Sequence, residues 1–227
     1  MTARVFIRTS HGVVLLGATH SLTHMFAGER FNTCTHLLGL ALAILGVPFV
    51  LAKTLPSGDP EKIGGGLVFA LCCVVLYAAS TLFHGTQGRA KAGWQRADHC
   101  AIYVLIAGSY TPFALVSVQG ALGWALAAAV WCVALLGVWR EIRSTSSKPP
   151  LGFYIGLGWV AVAAAAPLLS HMATAELRWL LAGAVSYTAG TVFYVNRAGY
   201  QHAHGIWHLF VLGGTASHYM AVLGLVA

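Results

Sequence analysis

Seven continuous apolar runs, each close to the length that crosses a lipid bilayer, constrain this chain of 227 residues more than any other feature. A helix needs about 20 apolar residues to span the hydrocarbon core. Of all residues, 58% are hydrophobic and 8% are charged, against roughly 25% charged in an ordinary soluble domain. Because the runs are continuous rather than alternating, they predict helices and not barrel strands. The sequence therefore predicts an all-α fold, a seven-transmembrane helix bundle, with helices over residues 32–52, 64–84, 98–118, 121–139, 152–170, 179–195 and 204–226.

The connectors between the runs indicate a single integral membrane domain over residues 1–227. They are rich in turn-forming residues, as in 56–60 and 144–150, and they are too short to hold a second domain. The segment before the first run, residues 1–31, contains a short apolar stretch but no cleavage site of the signal-peptide type. We therefore expect this segment to be retained as an amphipathic or interfacial region on the cytoplasmic side.

The distribution of positive charge predicts how the bundle lies in the membrane. If the N-terminus is cytoplasmic, ten of the 13 Lys and Arg residues fall in cytoplasmic segments, and only Lys53, Lys62 and Arg178 fall outside. Cytoplasmic loops carry such an excess, so we expect a multi-pass protein of the inner or plasma membrane with a cytoplasmic N-terminus and an extracytoplasmic C-terminus. The net charge of +7 is spread over short loops and forms no basic stripe, which favours membrane lipid and not nucleic acid as the partner.

Four ionisable residues that are far apart in sequence collect at the cytoplasmic face of this topology. His84 ends the second run, Asp98 begins the third, and His204 and His208 begin the seventh. Residues four apart share a helix face, so His204 and His208 can present two imidazoles to one ion, and His84 can add a third. Zinc held by three histidines keeps a fourth position for water, the arrangement of a catalytic site. Asp98 could orient a ligand histidine or accept the proton of that water, and Ser80 shares a face with His84.

Other histidines have plainer interpretations. His218 lies 14 residues after His204, about 21 Å further along a helix that rises 1.5 Å per residue, so it cannot share the same ion. We expect it to be buried and hydrogen-bonded to a neighbouring helix. His99 and His202 are expected at the membrane interface without a special role.

Polar residues at the start of the first run leave two interpretations open. Glu29, Asn32, Thr33 and His36 recur at helical spacing at the same cytoplasmic end. They could surround the metal ligands or face the substrate. Alternatively, Asn32 or Thr33 caps the helix and His36 is an interfacial residue.

Together these motifs closely resemble those of bacterial haemolysin-III proteins, which belong with the progestin and adipoQ receptors in a superfamily that includes the alkaline ceramidases. The resemblance covers nearly the whole chain, and the segment before Gly28 is the least similar part. It is carried by GExxNTxTHLLG at 28–39, SxxxH at 80–84, DHxAIYxLIAGSYTPF at 98–113 and HxIWHLFVLxGxxxH at 204–218.

The resemblance implies a seven-helix bundle that holds zinc through His84, His204 and His208. It also implies a water molecule at the zinc near Asp98, with Ser80 beside the site. For the receptor and ceramidase relatives it implies hydrolysis of a lipid amide. For the bacterial branch it points to no particular substrate, and the family name suggests cytolysis.

Three functions are compatible with these observations. The leading one is a zinc-dependent hydrolase of a small lipid substrate, in which Asp98 takes a proton from water and Ser80 helps to hold that water or the developing oxyanion. The second is a receptor-like or membrane-homeostasis protein in which the zinc is structural. The third, a pore-forming cytolysin, is disfavoured because the runs offer no ring of charges or polar stripe for a water-filled channel.

Overall fold

The computed structural model of the chain describes residues 5–9, 12–16, 28–146, 150–165 and 172–227. Its main body is helical, as the apolar runs predict. Within the described residues the helices are α1 (Arg30–Thr54), α2 (Pro60–Gly85), α3 (Arg89–Pro112), α4 (Gly120–Arg143), α5 (Leu151–Ala165), α6 (Thr174–Val195) and α7 (Ala203–Val226).

Five stretches in the described part of the chain are long and apolar enough to cross a membrane. They are Arg30–Ser57, Pro60–Gly85, Arg89–Val118, Gly120–Arg143 and Ala203–Val226. Helix α5 contributes a shorter apolar stretch, Leu151–Val160. Helix α6 is 22 residues long, but Glu176 and Arg178 lie near its start. The chain is thus a multi-pass membrane protein, and crossing by α5 and α6 stays a prediction.

A short antiparallel pair of strands precedes the helical body. Strand β1 (Val5–Thr9) pairs with β2 (Gly12–Leu16), with Val5 opposite Leu16 and Thr9 opposite Gly12. The β-branched and aromatic residues of VFIRT and GVVLL favour strands. The sequence predicts only an amphipathic or interfacial segment here, so the strands are an addition to that prediction.

The helices extend beyond the apolar runs where polar residues continue them. Helix α2 begins at Pro60 rather than near residue 64, because the Asp59 side chain accepts hydrogen bonds from the backbone N–H groups of Glu61 and Lys62. A proline at the first position of a helix and an aspartate cap before it are both favourable. An apolar run marks only the part of a helix that lies in hydrocarbon, so it misses such ends.

Helix α3 differs most from its predicted range of 98–118. It begins at Arg89, so Asp98 lies well inside the helix rather than at its start. At the other end, α3 passes into a π-helical turn, Phe113–Val118. Pro112 has no backbone N–H to donate, which disrupts the helical hydrogen-bond ladder near this point.

The bundle is built around α2, which packs between α1 and α3, while α7 packs against α1 and α6. Glycines allow close approach of rings at these contacts, as small residues do in membrane bundles. A Cβ atom at Gly214 of α7 would lie 2.7 Å from the ring of Tyr187, and one at Gly39 of α1 would lie 2.6 Å from the ring of Tyr77. Aliphatic side chains such as Leu45 point outward, where lipid would cover them.

Candidate metal centre

Three histidines from two helices meet at one end of the bundle. His84 lies in the last turn of α2, and His204 and His208 lie in the first two turns of α7. One ring nitrogen from each of the three lies within 4.8 Å of the others. The Nε2 atoms of His84 and His204 are 3.3 Å apart. The structure therefore brings together the three residues that the spacing had grouped.

The second nitrogen of two of these rings is held by acceptors at the start of α1, on the cap residue Glu29 and on Asn32. His84 Nδ1 donates to Glu29 Oε2 over 2.7 Å, and His208 Nδ1 donates to the backbone oxygen of Asn32 over 3.1 Å. A carboxylate and a carbonyl can only accept, so in both rings the proton sits on Nδ1. Each Nε2 then carries the free lone pair that a metal ion requires.

Glu29 forms hydrogen bonds with side chains of three helices, α1, α2 and α3. Its carboxylate accepts hydrogen bonds from Asn32 Nδ2 over 2.9 Å, from His84 Nδ1 over 2.7 Å and from Lys91 Nζ over 3.1 Å. Partial burial raises the pKa of Glu29, but these three donors outweigh it and lower the pKa to about 2. The carboxylate is therefore ionised at neutral pH and can hold the His84 ring in one orientation.

Neither Asn32 nor Thr33 caps α1, so the alternative interpretation of these residues as helix caps is wrong. Glu29 occupies the cap position and makes no side-chain capping bond. The amide of Asn32 turns to Glu29, and the hydroxyl of Thr33 donates to the backbone oxygen of Glu29. The hydroxyl of Thr35, a residue outside the predicted site, lies 3.0 Å from His208 Nδ1. Its position three residues after Asn32, on the same face of the helix, was the available signal.

Asp98 and Ser80 connect to the three histidines through His36. Ser80 is buried and forms a hydrogen bond with the Asp98 carboxyl. The Ser80 hydroxyl also lies 2.6 Å from His36 Nδ1, and the His36 ring stacks on that of His208 with 3.5 Å between centroids. Within the described residues, the group that could hold a metal contains the three histidines and not Asp98. The Asp98 carboxylate is thus connected to the cluster through Ser80 and His36 but lies outside the set of ligand atoms.

Removal of the Glu29 carboxylate is expected to weaken metal binding without abolishing it. In Glu29→Ala, His84 Nδ1 loses its acceptor, and loss of such an outer partner typically costs about 10–100-fold in metal affinity. Titration against a chelator of known affinity measures this. Glu61→Ala is the matched control, because Glu61 Oε1 contacts Trp124 near the opposite end of α2. Equal zinc affinity in the Glu29→Ala and wild-type proteins would contradict this role.

His99 is buried and paired, which corrects its expected place at the membrane interface. Its Nδ1 lies 2.8 Å from Glu141 Oε1 of α4, and the two side chains are 9% and 7% exposed. The hydroxyl of Tyr154 on α5 donates to the His99 backbone oxygen over 3.2 Å. The sequence offered one indication that Glu141 has a buried partner, because it is one of only six acidic residues in the chain and lies in an apolar helix. Its partner depends on how α3 and α4 pack.

The His99–Glu141 pair is expected to contribute to stability rather than to the metal cluster. In Glu141→Ala a buried donor on His99 loses its acceptor, which costs about 1–3 kcal/mol in the free energy of unfolding. Unfolding in mixed detergent and denaturant measures the loss. Replacing both partners by apolar residues, as in His99→Phe with Glu141→Leu, should cost less than Glu141→Ala. A double variant that is less stable than the single one would contradict this account.

His218 lies apart from the cluster, as its position along α7 requires. Its Nε2 donates to the backbone oxygen of Leu180 on α6 over 3.2 Å. The ring packs against Gly183 and lies 5.4 Å from the ring of Tyr187. The predicted hydrogen bond to a neighbouring helix is therefore present.

Known proteins match most of this chain. Residues 24–219 match the family model described as haemolysin-III related. The chain is 36% identical over 198 residues to the hemolysin-3 homolog of Bacillus subtilis, covering 86% of this chain and 92% of that protein. It is 34% identical over 206 residues to hemolysin-3 of Bacillus cereus, covering 89% and 93%. The human monocyte to macrophage differentiation factor is 29% identical over 200 residues, covering 84% of this chain and 81% of that protein. A match of this extent, on long apolar helices of the kind described above, shows that the chain belongs to the haemolysin-III related family of integral membrane proteins.

Proposed function

We propose that this chain is a zinc-dependent hydrolase that cleaves an amide bond of a membrane lipid. One observation carries the proposal. Three histidines direct ligand nitrogens to one point, and a carboxylate outside the ligand set, that of Asp98, connects to them through Ser80 and His36. A structural zinc site is normally closed by four protein ligands, whereas a catalytic site keeps one position open.

The residues present fit zinc. Neutral imidazoles are among its preferred ligands, and His84 and His208 each have Nδ1 bound to an acceptor, which leaves Nε2 for a metal. Together with His204 they would hold the ion. When bound, zinc acts as a Lewis acid and lowers the pKa of its water from about 15.7 to about 7.

The side chains around the histidines have separate roles in this proposal. Asp98 accepts the proton of the attacking water and later returns it to the leaving amine. Ser80 donates to Asp98 and keeps its carboxylate in place. The site lies where α2 ends and α7 begins, at the boundary between apolar spans and polar connectors. That position suits a lipid whose scissile bond is polar and whose tails are apolar.

The site faces the cytoplasm in the orientation that the charge distribution predicts. Alkaline phosphatase, which is active only outside the cytoplasm, should be active when fused after Ala227 and inactive when fused after Gln87. Gln87 lies in the short connector 86–88 between α2 and α3, beside the cluster. The opposite pattern of activities would place the cluster at the outer face and overturn the proposed orientation.

Hydrolysis is tested with purified, zinc-loaded protein and a panel of lipid amides with matched lipid esters. Release of fatty acid from an amide, detected by mass spectrometry and lost on removal of zinc, is the expected result. Absence of turnover across the panel in a fully zinc-loaded protein would instead favour a receptor-like or homeostatic protein with structural zinc.

Lysis is an alternative function that the names of two Bacillus relatives suggest. Vesicles of a lipid that lacks any hydrolysable amide, loaded with a fluorescent dye, separate the two functions. A pore would release the dye whether or not zinc is present. The proposed hydrolase should release none.

A further inference from the structure

His36 of α1 contacts both the metal-ligand cluster and Ser80, although it is neither a metal ligand nor the proposed base. The side chain is buried, with 4% of its surface exposed. Its ring stacks on His208, with an angle of 12° between the planes, and it meets the ring of Tyr77 edge-on at 5.2 Å. Its Nδ1 lies 2.6 Å from the Ser80 hydroxyl.

The direction of the hydrogen bonds follows from the number of protons available. Ser80 has one hydroxyl proton and two partners, Asp98 and His36. An ionised Asp98, which the proposed base requires, can only accept. Ser80 therefore donates to Asp98 and accepts from His36 Nδ1–H.

The other ring nitrogen of His36 supports the same tautomer. His36 Nε2 is buried and has no hydrogen-bond partner in the described part of the chain. Buried N–H groups without an acceptor are rare because their desolvation is costly. With the proton on Nδ1, the ring leaves no donor unpaired.

We infer that His36 is a positioning residue, whose Nδ1–H directs the single proton of Ser80 towards Asp98 and so fixes the orientation of the Asp98 carboxylate. This inference rests on the proposed function, since it assigns His36 a part in orienting the proposed base. The chain of bonds from His36 through Ser80 to Asp98 joins α1, α2 and α3.

Two amide substitutions separate positioning from packing. The side-chain amide of asparagine reaches about the position of Nδ1, and that of glutamine reaches about the position of Nε2. Both His36→Asn and His36→Gln remove the ring that stacks on His208, so a packing role would be harmed similarly in both. We expect His36→Gln to lower kcat by about 10–100-fold with little change in KM, and His36→Asn to recover most of that loss. Zinc content and thermal midpoint should stay close to wild type in both.

The ¹⁵N magnetic resonance of histidine-labelled protein reports the tautomer without any turnover. The His36 signals, assigned by their absence in His36→Asn, should be those of a neutral ring protonated on Nδ1. Ser80→Ala, which removes the acceptor, should move the proton towards Nε2.

Equal loss of kcat in the asparagine and glutamine variants would overturn the inference, and so would a wild-type ring protonated on Nε2. If the wild-type protein hydrolyses no lipid, the proposed function fails, and the resonance experiment alone then decides the hydrogen-bond assignment of His36.

Discussion

Replacement of His84, His204 or His208 by alanine is expected to remove the zinc from the purified protein, whereas His218→Ala should keep it. A site with three protein ligands loses much of its affinity when one is removed, because two imidazoles and water hold zinc weakly. Metal content measured by mass spectrometry should fall from about one zinc per chain to a small fraction of that value in each of the three variants.

His218→Ala is the matched control because it makes the same chemical change on the same helix as two of the ligands. His218 bonds to Leu180 of α6 and takes no part in the cluster. Loss of zinc in His218→Ala together with its retention in His204→Ala would show that the ligand assignment is wrong.

Asp98→Asn should abolish hydrolysis while leaving the zinc in place. Asparagine has nearly the same shape and can still accept the Ser80 hydrogen bond, but it cannot take a proton from water. Loss of a general base costs about 10²–10⁴ in rate. The measurement is kcat on the lipid amide that the wild-type protein turns over best, together with zinc content and thermal midpoint.

Asp59→Asn provides the control for this change. Asp59 caps the other end of α2, and asparagine caps helices as well as aspartate does, so activity should be unaffected. If Asp98→Asn instead loses its zinc and unfolds at a lower temperature, then Asp98 is a metal ligand. The site would then have four protein ligands, as structural zinc sites do.

Much of the fold follows from local features of the sequence. The length of each apolar run predicts a helix whatever its neighbours are, because an unpaired backbone is too costly in hydrocarbon. The four-residue spacing of His204 and His208 places both on one face of α7 for the same local reason. The ends of helices are less predictable. Helix α3 begins nine residues before Asp98, and an apolar run does not reveal this part because its residues are mostly polar.

The composition of the site could also be predicted, since His84, Asp98, His204 and His208 fall at one membrane depth in any bundle with these spans. The four-residue spacing between Ser80 and His84 added Ser80 to that group. The pairing of His99 with Glu141 was not predicted, because two residues 42 positions apart meet only if α3 and α4 pack with those faces together.

The sequence by itself therefore determined where most of the helices lie and which three histidines could share an ion. Only the tertiary structure decided which nitrogen of each ring faces the cluster, with Glu29 and the Asn32 backbone holding the Nδ1 atoms of His84 and His208. The physical reason is that spacing along one helix sets the angle of a side chain about that helix alone. The rotation of each helix against its neighbours depends on side-chain packing across the whole bundle.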